Sequence, residues 1–157
     1  NVASTRTDFE IDIIGNGPDE AYMLEKLQSG SMKNRFTFHG EIELKEVAKI
    51  LSTANFLLLY SQFETQSVVM IEAFASGVPV LTSGVGGIPE YINEERGIVI
   101  EPNFATALEK GLNSMLKEHS KFNSDKLRSY ALQNFSVEQI QNQFMSLYHQ
   151  ILSNDRN

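Results

Sequence analysis

No cysteine occurs in these 157 residues, which excludes a disulfide framework and any thiolate metal site and suits a cytoplasmic chain. Basic residues are also in short supply: 13 Lys and Arg stand against 20 Asp and Glu, for a formal charge of −7. A broad nucleic-acid or anionic-lipid surface works by clustered Lys and Arg, so this balance argues against both, and any bound anion must be held locally. Long hydrophobic runs are missing. The longest, Phe56-Leu-Leu-Leu-Tyr60, is far short of the roughly 20 residues a membrane helix needs. There is no signal-peptide pattern, internal repeat, low-complexity tract or linker. The three histidines, His39, His119 and His149, are scattered, with no second metal ligand at a recognisable spacing and no triad arrangement. His119 and His149 read as surface residues, and His39 as a histidine satisfied at a strand end.

What is present is an alternation of strands and helices. Phe9-Glu-Ile-Asp-Ile-Ile-Gly15 reads as a strand closed by the turn Gly15-Asn16-Gly17-Pro18. A helix over 19–28 and a short aromatic, β-branched strand over 35–39 follow. Leu44, Val47, Ala48, Leu51 and Ala54 recur at helical spacing, giving an amphipathic helix over 43–54. It leads into the apolar strand 56–60, which without polar alternation is expected to be covered on both faces. A helix over 68–76 stops at Gly77, strands are expected over 79–82 and 97–100, and a short helix lies around 89–92. The remainder is helical. Asn103 is a candidate N-cap for the face Phe104, Leu108, Leu112 and Met115, a second helix covers about 123–134, and Ser136 with Gln139 forms a capping-box pattern. It opens a closing helix with Val137, Ile140, Phe144, Leu147 and Ile151 along one side. This pattern predicts one α/β domain over residues 1–157: a Rossmann-like, doubly wound parallel sheet flanked by helices. Ligands of such sheets sit beyond the carboxyl ends of the strands. The loops 15–17, 39–42, 61–67 and 83–87 all fall there and are expected to form one rim.

Chemical signals concentrate on that rim. Gly15-Asn16-Gly17 could approach a phosphate, yet Pro18 follows, the third glycine is absent and no acidic residue sits at the required later strand end. The dinucleotide fingerprint therefore fails, and a tight turn is the simpler reading. For the 83–87 turn, close approach to a ligand and a mere change of chain direction before Pro89 both stay open. Glu64 and Glu72 are stronger. Every neighbour of Glu72 from Val68 to Ala75 is apolar or small, and a carboxylate there is costly to bury unless something binds it. The amides of Gln66, Ser67 and Val68 are the free donors of the first helical turn, with Ser61 nearby. Hydroxyl-accepting carboxylates beside an anion-binding helix start call for a ligand that is part phosphate and part polyol, such as a nucleotide sugar.

Ile13-Ile-Gly-Asn-Gly-Pro18, Phe36-Thr-Phe-His-Gly40, Ser61 with Glu64, Glu72-Ala-Phe-Ala-Ser-Gly-Val-Pro-Val80 and Ser83-Gly-Val-Gly-Gly-Ile-Pro-Glu90 resemble, in order and spacing, the C-terminal, donor-binding half of the retaining GT-B glycosyltransferases, in particular glycosyltransferase family four. The likeness covers nearly the whole chain. It implies two Rossmann-like halves facing each other across a cleft, of which this chain, incomplete at its N-terminus, is the one that holds the nucleotide-sugar donor. By the resemblance Glu64 is the candidate catalytic residue, near donor-sugar hydroxyls, and Glu72 lies on the ribose. The backbone at Gln66, Ser67 and Val68 faces the pyrophosphate or sugar, and Ile42 lies beside the base. With Gly15, Asn16, Gly17 and Ser61 these make up the expected donor site.

The implied activity is retaining transfer of a hexose from an NDP-sugar, with UDP favoured, to a saccharide or glycolipid acceptor in polysaccharide biosynthesis. No cofactor and no metal are called for. The acceptor would be bound through the other half, which could also tie a cytoplasmic protein to the inner face of a membrane. Two departures from the family matter. Ser67 stands where most members have glycine, and the arginine and lysine that members place against the pyrophosphate lie on elements upstream of this sequence. The isolated chain is therefore expected to bind donor weakly and to be inactive. A GT-B nucleotide-sugar epimerase and a catalytically silent nucleotide-binding module are the alternatives, and an NAD-binding oxidoreductase ranks last.

Overall fold

The computed structural model describes residues 2–102 and 104–154. The order is α1 (Val2–Thr5), β1 (Ile11–Ile14), α2 (Glu20–Ser29), β2 (Phe36–Gly40), α3 (Leu44–Leu51), β3 (Leu57–Leu59), α4 (Val68–Ser76) and β4 (Val80–Ser83). A 3₁₀ turn at Ile88–Glu90 then precedes β5 (Gly97–Ile100), α5 (Ala105–Glu118), a second 3₁₀ turn at His119–Lys121, α6 (Ser124–Phe135) and α7 (Val137–Asn154). This is the expected alternation, and every strand pairing is parallel.

The strands form two sheets rather than one: β1 pairs with β2, and β3, β4 and β5 line up in that order. The hydrophobic core lies under the second sheet. All four residues of β4 are buried, and Leu81, Phe74, Met70, Met115 and Leu127 are inaccessible to solvent. Helix α4, which carries Met70 and Phe74, packs against both α3 and α6. Phe74 meets Tyr130 of α6 edge to face at 5.8 Å, and the Arg96 guanidinium caps the Tyr130 ring at 4.0 Å, combining apolar burial with favourable ring electrostatics. Helix α4 ends as expected on Gly77. Its φ of 79° places it in the left-handed region, where a Cβ is strained, and its amide and that of Val78 satisfy Phe74 and Ala73 carbonyls.

Away from β4, burial falls off. Leu58 is 40% exposed, which corrects the expectation that its strand is covered on both faces: β3 is the edge of its sheet, and the helices close over the central strand. In β1 exposed and half-buried residues alternate, and α2 buries no residue fully. This first unit is held at its base by Arg35, whose guanidinium donates to the carbonyls of Ala3 (2.8 Å), Arg6 (2.9 Å) and Ser31 (2.6 Å).

Among the terminal helices, Asn123 caps α6 by accepting from the Asp125 and Lys126 amides, each at 3.0 Å. The Ser136 hydroxyl accepts from the Gln139 amide at 3.3 Å, as the capping-box pattern anticipates. The Asn103 cap lies outside the described residues. Helix α7 touches α6, but its apolar side faces outward: Val137 is 84% and Phe144 54% exposed.

Candidate functional site

The C-terminal ends of parallel strands point the same way, so each loop leaving β1, β2, β3 or β4 starts from that end of its sheet. The loops 15–17, 39–42, 61–67 and 83–87 all begin there. None contains a lysine or arginine.

At the end of β3 the chain turns through Ser61 into α4. The Ser61 hydroxyl donates to Oε1 of Glu64 at 2.9 Å in a half-buried setting, which fixes the carboxylate while Oε2 has no protein donor among the described residues. Ser67 precedes α4 in extended conformation and is only 4% exposed, yet its hydroxyl makes no capping bond. Among the described residues the amides of Gln66, Ser67 and Val68 also have no acceptor. The start of a nine-residue apolar helix is thus left with free donors and the positive end of its dipole. Glu72 lies one turn further along, on the same side as Val68 by helical spacing. It has no ion-pair partner among the described residues, and burial pushes its carboxyl above the ordinary carboxylate range.

Gly15, Asn16, Gly17 and Ile42 belong to a second group, at the end of the two-stranded sheet. The Gly15 amide donates to the Gly40 carbonyl at 2.8 Å, and the Asn16 side-chain amide donates to Oε2 of Glu41 at 2.9 Å, so the loops after β1 and β2 are tied together. Gly17 has nothing within 4 Å of where a Cβ would stand, leaving its backbone open to approach. His39 Nε2 lies 2.7 Å from Asp12 Oδ1, the arrangement of a satisfied strand-end histidine. Among the described residues no hydrogen bond or ion pair joins this group to the one around Glu64. Two open depressions, of about 480 Å³ beside Arg96 and Lys126 and about 410 Å³ beside Ile100 and Lys110, lie elsewhere and include none of the site residues.

The turn after β4 has a contact that sequence reasoning missed. Ser83, with no exposed surface, donates its hydroxyl to the Ser61 carbonyl at 2.5 Å. Gly86 and Gly87 lie directly on the Glu64 and Thr65 carbonyls, where a Cβ on either would come closer than the 3.0 Å that such atoms keep. Gly86 and Gly87 accommodate the neighbouring loop. A second hydroxyl residue, Ser83 after Thr82 at the end of the strand, was the available signal.

An α/β unit of parallel strands and helices with its candidate residues at the strands' carboxyl ends has the architecture of one Rossmann-like half of a GT-B fold, and solved glycosyltransferase-type structures superimpose on it. Sucrose-phosphate synthase from Thermosynechococcus elongatus matches with a TM-score of 0.78 and 24% identity, over 98% of this chain and 49% of that one. Anabaena HepE, solved in complex with UDP, matches with a TM-score of 0.81 and 18% identity, over 95% and 43%. Residues 2–134 match the family model of the glycosyl transferases group 1, and the chain belongs to that family. Among curated relatives, the N-acetyl-alpha-D-glucosaminyl L-malate synthase of Bacillus anthracis is 28% identical over 98% of this chain and 40% of its own length. Glycogen synthase of Mycobacterium tuberculosis is 27% identical over 69% and 26%. The chain therefore spans less than half the length of these relatives.

Proposed function

We propose that this chain is the donor-binding half of a retaining glycosyltransferase that moves a hexose from an NDP-sugar, with UDP-sugars favoured, to a saccharide or glycolipid acceptor. The observation that carries this reading is the junction of β3 and α4. A carboxylate with one oxygen fixed by Ser61, three free amides at a helix start, the uncommitted Ser67 hydroxyl and the partly buried Glu72 occur within twelve residues, 61–72. Glu64 accepts from sugar hydroxyls, Glu72 from ribose hydroxyls, and the Gln66, Ser67 and Val68 amides face the diphosphate or sugar. Ser67 keeps a hydroxyl donor in a position that glycine would leave bare. Gly15, Asn16, Gly17 and Ile42 border the nucleotide. Family membership supports the reading, as does the solved HepE complex with UDP.

In the proposed reaction the bond from the anomeric carbon to the diphosphate oxygen breaks while a bond to the acceptor oxygen forms on the same face. The acceptor proton passes to the departing diphosphate. Neither Glu64 nor Glu72 acts as a nucleophile, so catalysis rests on orienting the donor and stabilising the leaving group. No metal takes part.

Both carboxylates lie next to where the diphosphate would sit, and the four loops supply no cation. Positive charge against the diphosphate would then come from outside these loops, and in this reading from the half of the protein beyond this chain. The test is Glu64→Ala in the full-length protein. Transfer from UDP-glucose or UDP-N-acetylglucosamine should fall by about a hundredfold or more with the melting temperature held. Undiminished turnover would remove Glu64 from the catalytic site, absence of transfer by the wild type would favour a silent module, and epimerised sugar formed without acceptor would favour an epimerase. The isolated 157-residue chain should show no transfer, and measurable turnover from it would remove the need for outside cations.

A further inference from the structure

Glu64 is held from behind by the turn that follows β4. Ser83 closes β4, is fully buried, and places its hydroxyl on the Ser61 carbonyl. Ser61 in turn donates to the Glu64 carboxylate. Three residues beyond Ser83 the chain crosses the Glu64–Thr65 backbone so closely that only glycine fits at 86 and 87. Gly86 also has a φ of 55°, in the left-handed region that other residues rarely adopt. Two independent contacts thus run from the β4 turn to the loop that carries Glu64: a hydrogen bond from the Ser83 hydroxyl to the backbone carbonyl of Ser61, whose own hydroxyl holds the carboxylate, and a direct backbone seat under residues 64 and 65. A Cβ at Gly86 would lift the Glu64 backbone off that seat. Loss of the Ser83 hydroxyl would leave the half-buried Ser61 carbonyl without its donor and free the serine that orients the carboxylate.

We infer that Ser83, Gly86 and Gly87 are positioning residues that set the height and orientation of the Glu64 carboxylate, and so tune recognition of the donor sugar without touching the donor. The inference rests on the reading of Glu64 as the group that meets the sugar. It separates the two ends of the ligand: the turn after β4 acts on the sugar end through Glu64, while the nucleotide end is held by groups it does not contact.

The experiment measures calorimetric affinities of the full-length protein for UDP, UDP-glucose and UDP-N-acetylglucosamine, in the wild type, Ser83→Ala, Glu64→Gln and the double variant. Ser83→Ala should weaken the better-bound UDP-sugar about fivefold to tenfold, the worth of one hydrogen bond, and leave UDP within about twofold. The double variant should bind the UDP-sugar no more weakly than Glu64→Gln alone, because the effect of Ser83 passes through Glu64. An equal loss for UDP and the UDP-sugar would overturn the inference, since the turn would then be holding the nucleotide or the whole loop. Additive losses in the double variant would overturn it as well. Glu64→Gln binding the UDP-sugar as tightly as the wild type would instead bring down the proposed function, and this inference with it. Gly86→Ala should act in the same direction and more strongly. Where it prevents folding, Ser83→Ala, which removes a single oxygen, decides the matter.

Discussion

The two sheets are built on the same plan and packed very differently. In the β3–β4–β5 unit the central strand is wholly buried, three helices, α3, α4 and α6, pack as a contiguous group, and α5 packs on β4 and β5. In the β1–β2 unit one face of β1 stays open, α2 buries nothing fully, and the principal core cluster contains no residue before Val47. The proposed sugar-reading carboxylate belongs to the well-packed unit and the nucleotide-bordering loops to the loose one. Positioning a carboxylate to within a fraction of an ångström needs a rigid frame behind it. A loop that need only offer backbone to a ligand can do so from a more mobile base.

The largest effect that tests this contrast is core truncation. Phe74→Ala should cost about 3–5 kcal/mol in chemical denaturation, whereas Ile13→Ala, half-buried in β1, should cost less than about half of that. Equal losses would erase the distinction between the units. Native-state hydrogen exchange gives the next check, with Leu81 and Thr82 amides opening only on global unfolding and those of β1 opening at a lower free energy.

A matched pair of glycines follows. A Cβ at Gly97 would strike the Val80 backbone across the β4–β5 pair, so Gly97→Ala should destabilise by about 1–3 kcal/mol. Gly17→Ala meets nothing within 4 Å and should stay within about 0.5 kcal/mol. Its cost should appear instead as weaker UDP binding by the full-length protein, and an unchanged affinity would remove Gly17 from the site.

The smallest effect concerns Glu72. Its carboxyl is held above the ordinary 4.5 by burial, so the native state keeps a proton through a window in which the unfolded chain has lost it. The associated stability is present in full below the unfolded-state value and is lost as pH rises through the folded-state value. Glu72→Gln should therefore be slightly more stable than the wild type at pH 7, with the difference closing towards pH 4, while its donor affinity falls. A variant that gained both stability and affinity would leave Glu72 without a ligand.

Much of this was legible in the chain. The alternation of helix and strand periods, the Gly77 stop and the Ser136 cap are written locally, because propensity, capping and periodicity act over a few residues. So was the candidate site around Glu64 and Glu72, since a carboxylate in an apolar helix stands out in any context. Two features were not. The apolar residues at 56–60 announced a strand but not that it would be an edge with Leu58 open to solvent, because exposure depends on which strands and helices arrive beside it. Nor could the glycines of the β4 turn reveal their partner. Sequence shows that a backbone may come close to something, and only the packed chain shows to what.

The sequence by itself determined an acidic, cysteine-free α/β chain with parallel strands, and placed the candidate chemistry at the strands' carboxyl ends. The tertiary structure alone decided that the strands split into two sheets of unequal packing, and that Ser83, Gly86 and Gly87 seat the loop bearing Glu64. The physical reason is range. Periodicity and capping are satisfied within a few residues, whereas burial and close backbone approach are settled between segments some twenty residues apart in the chain, which meet only when the whole domain closes.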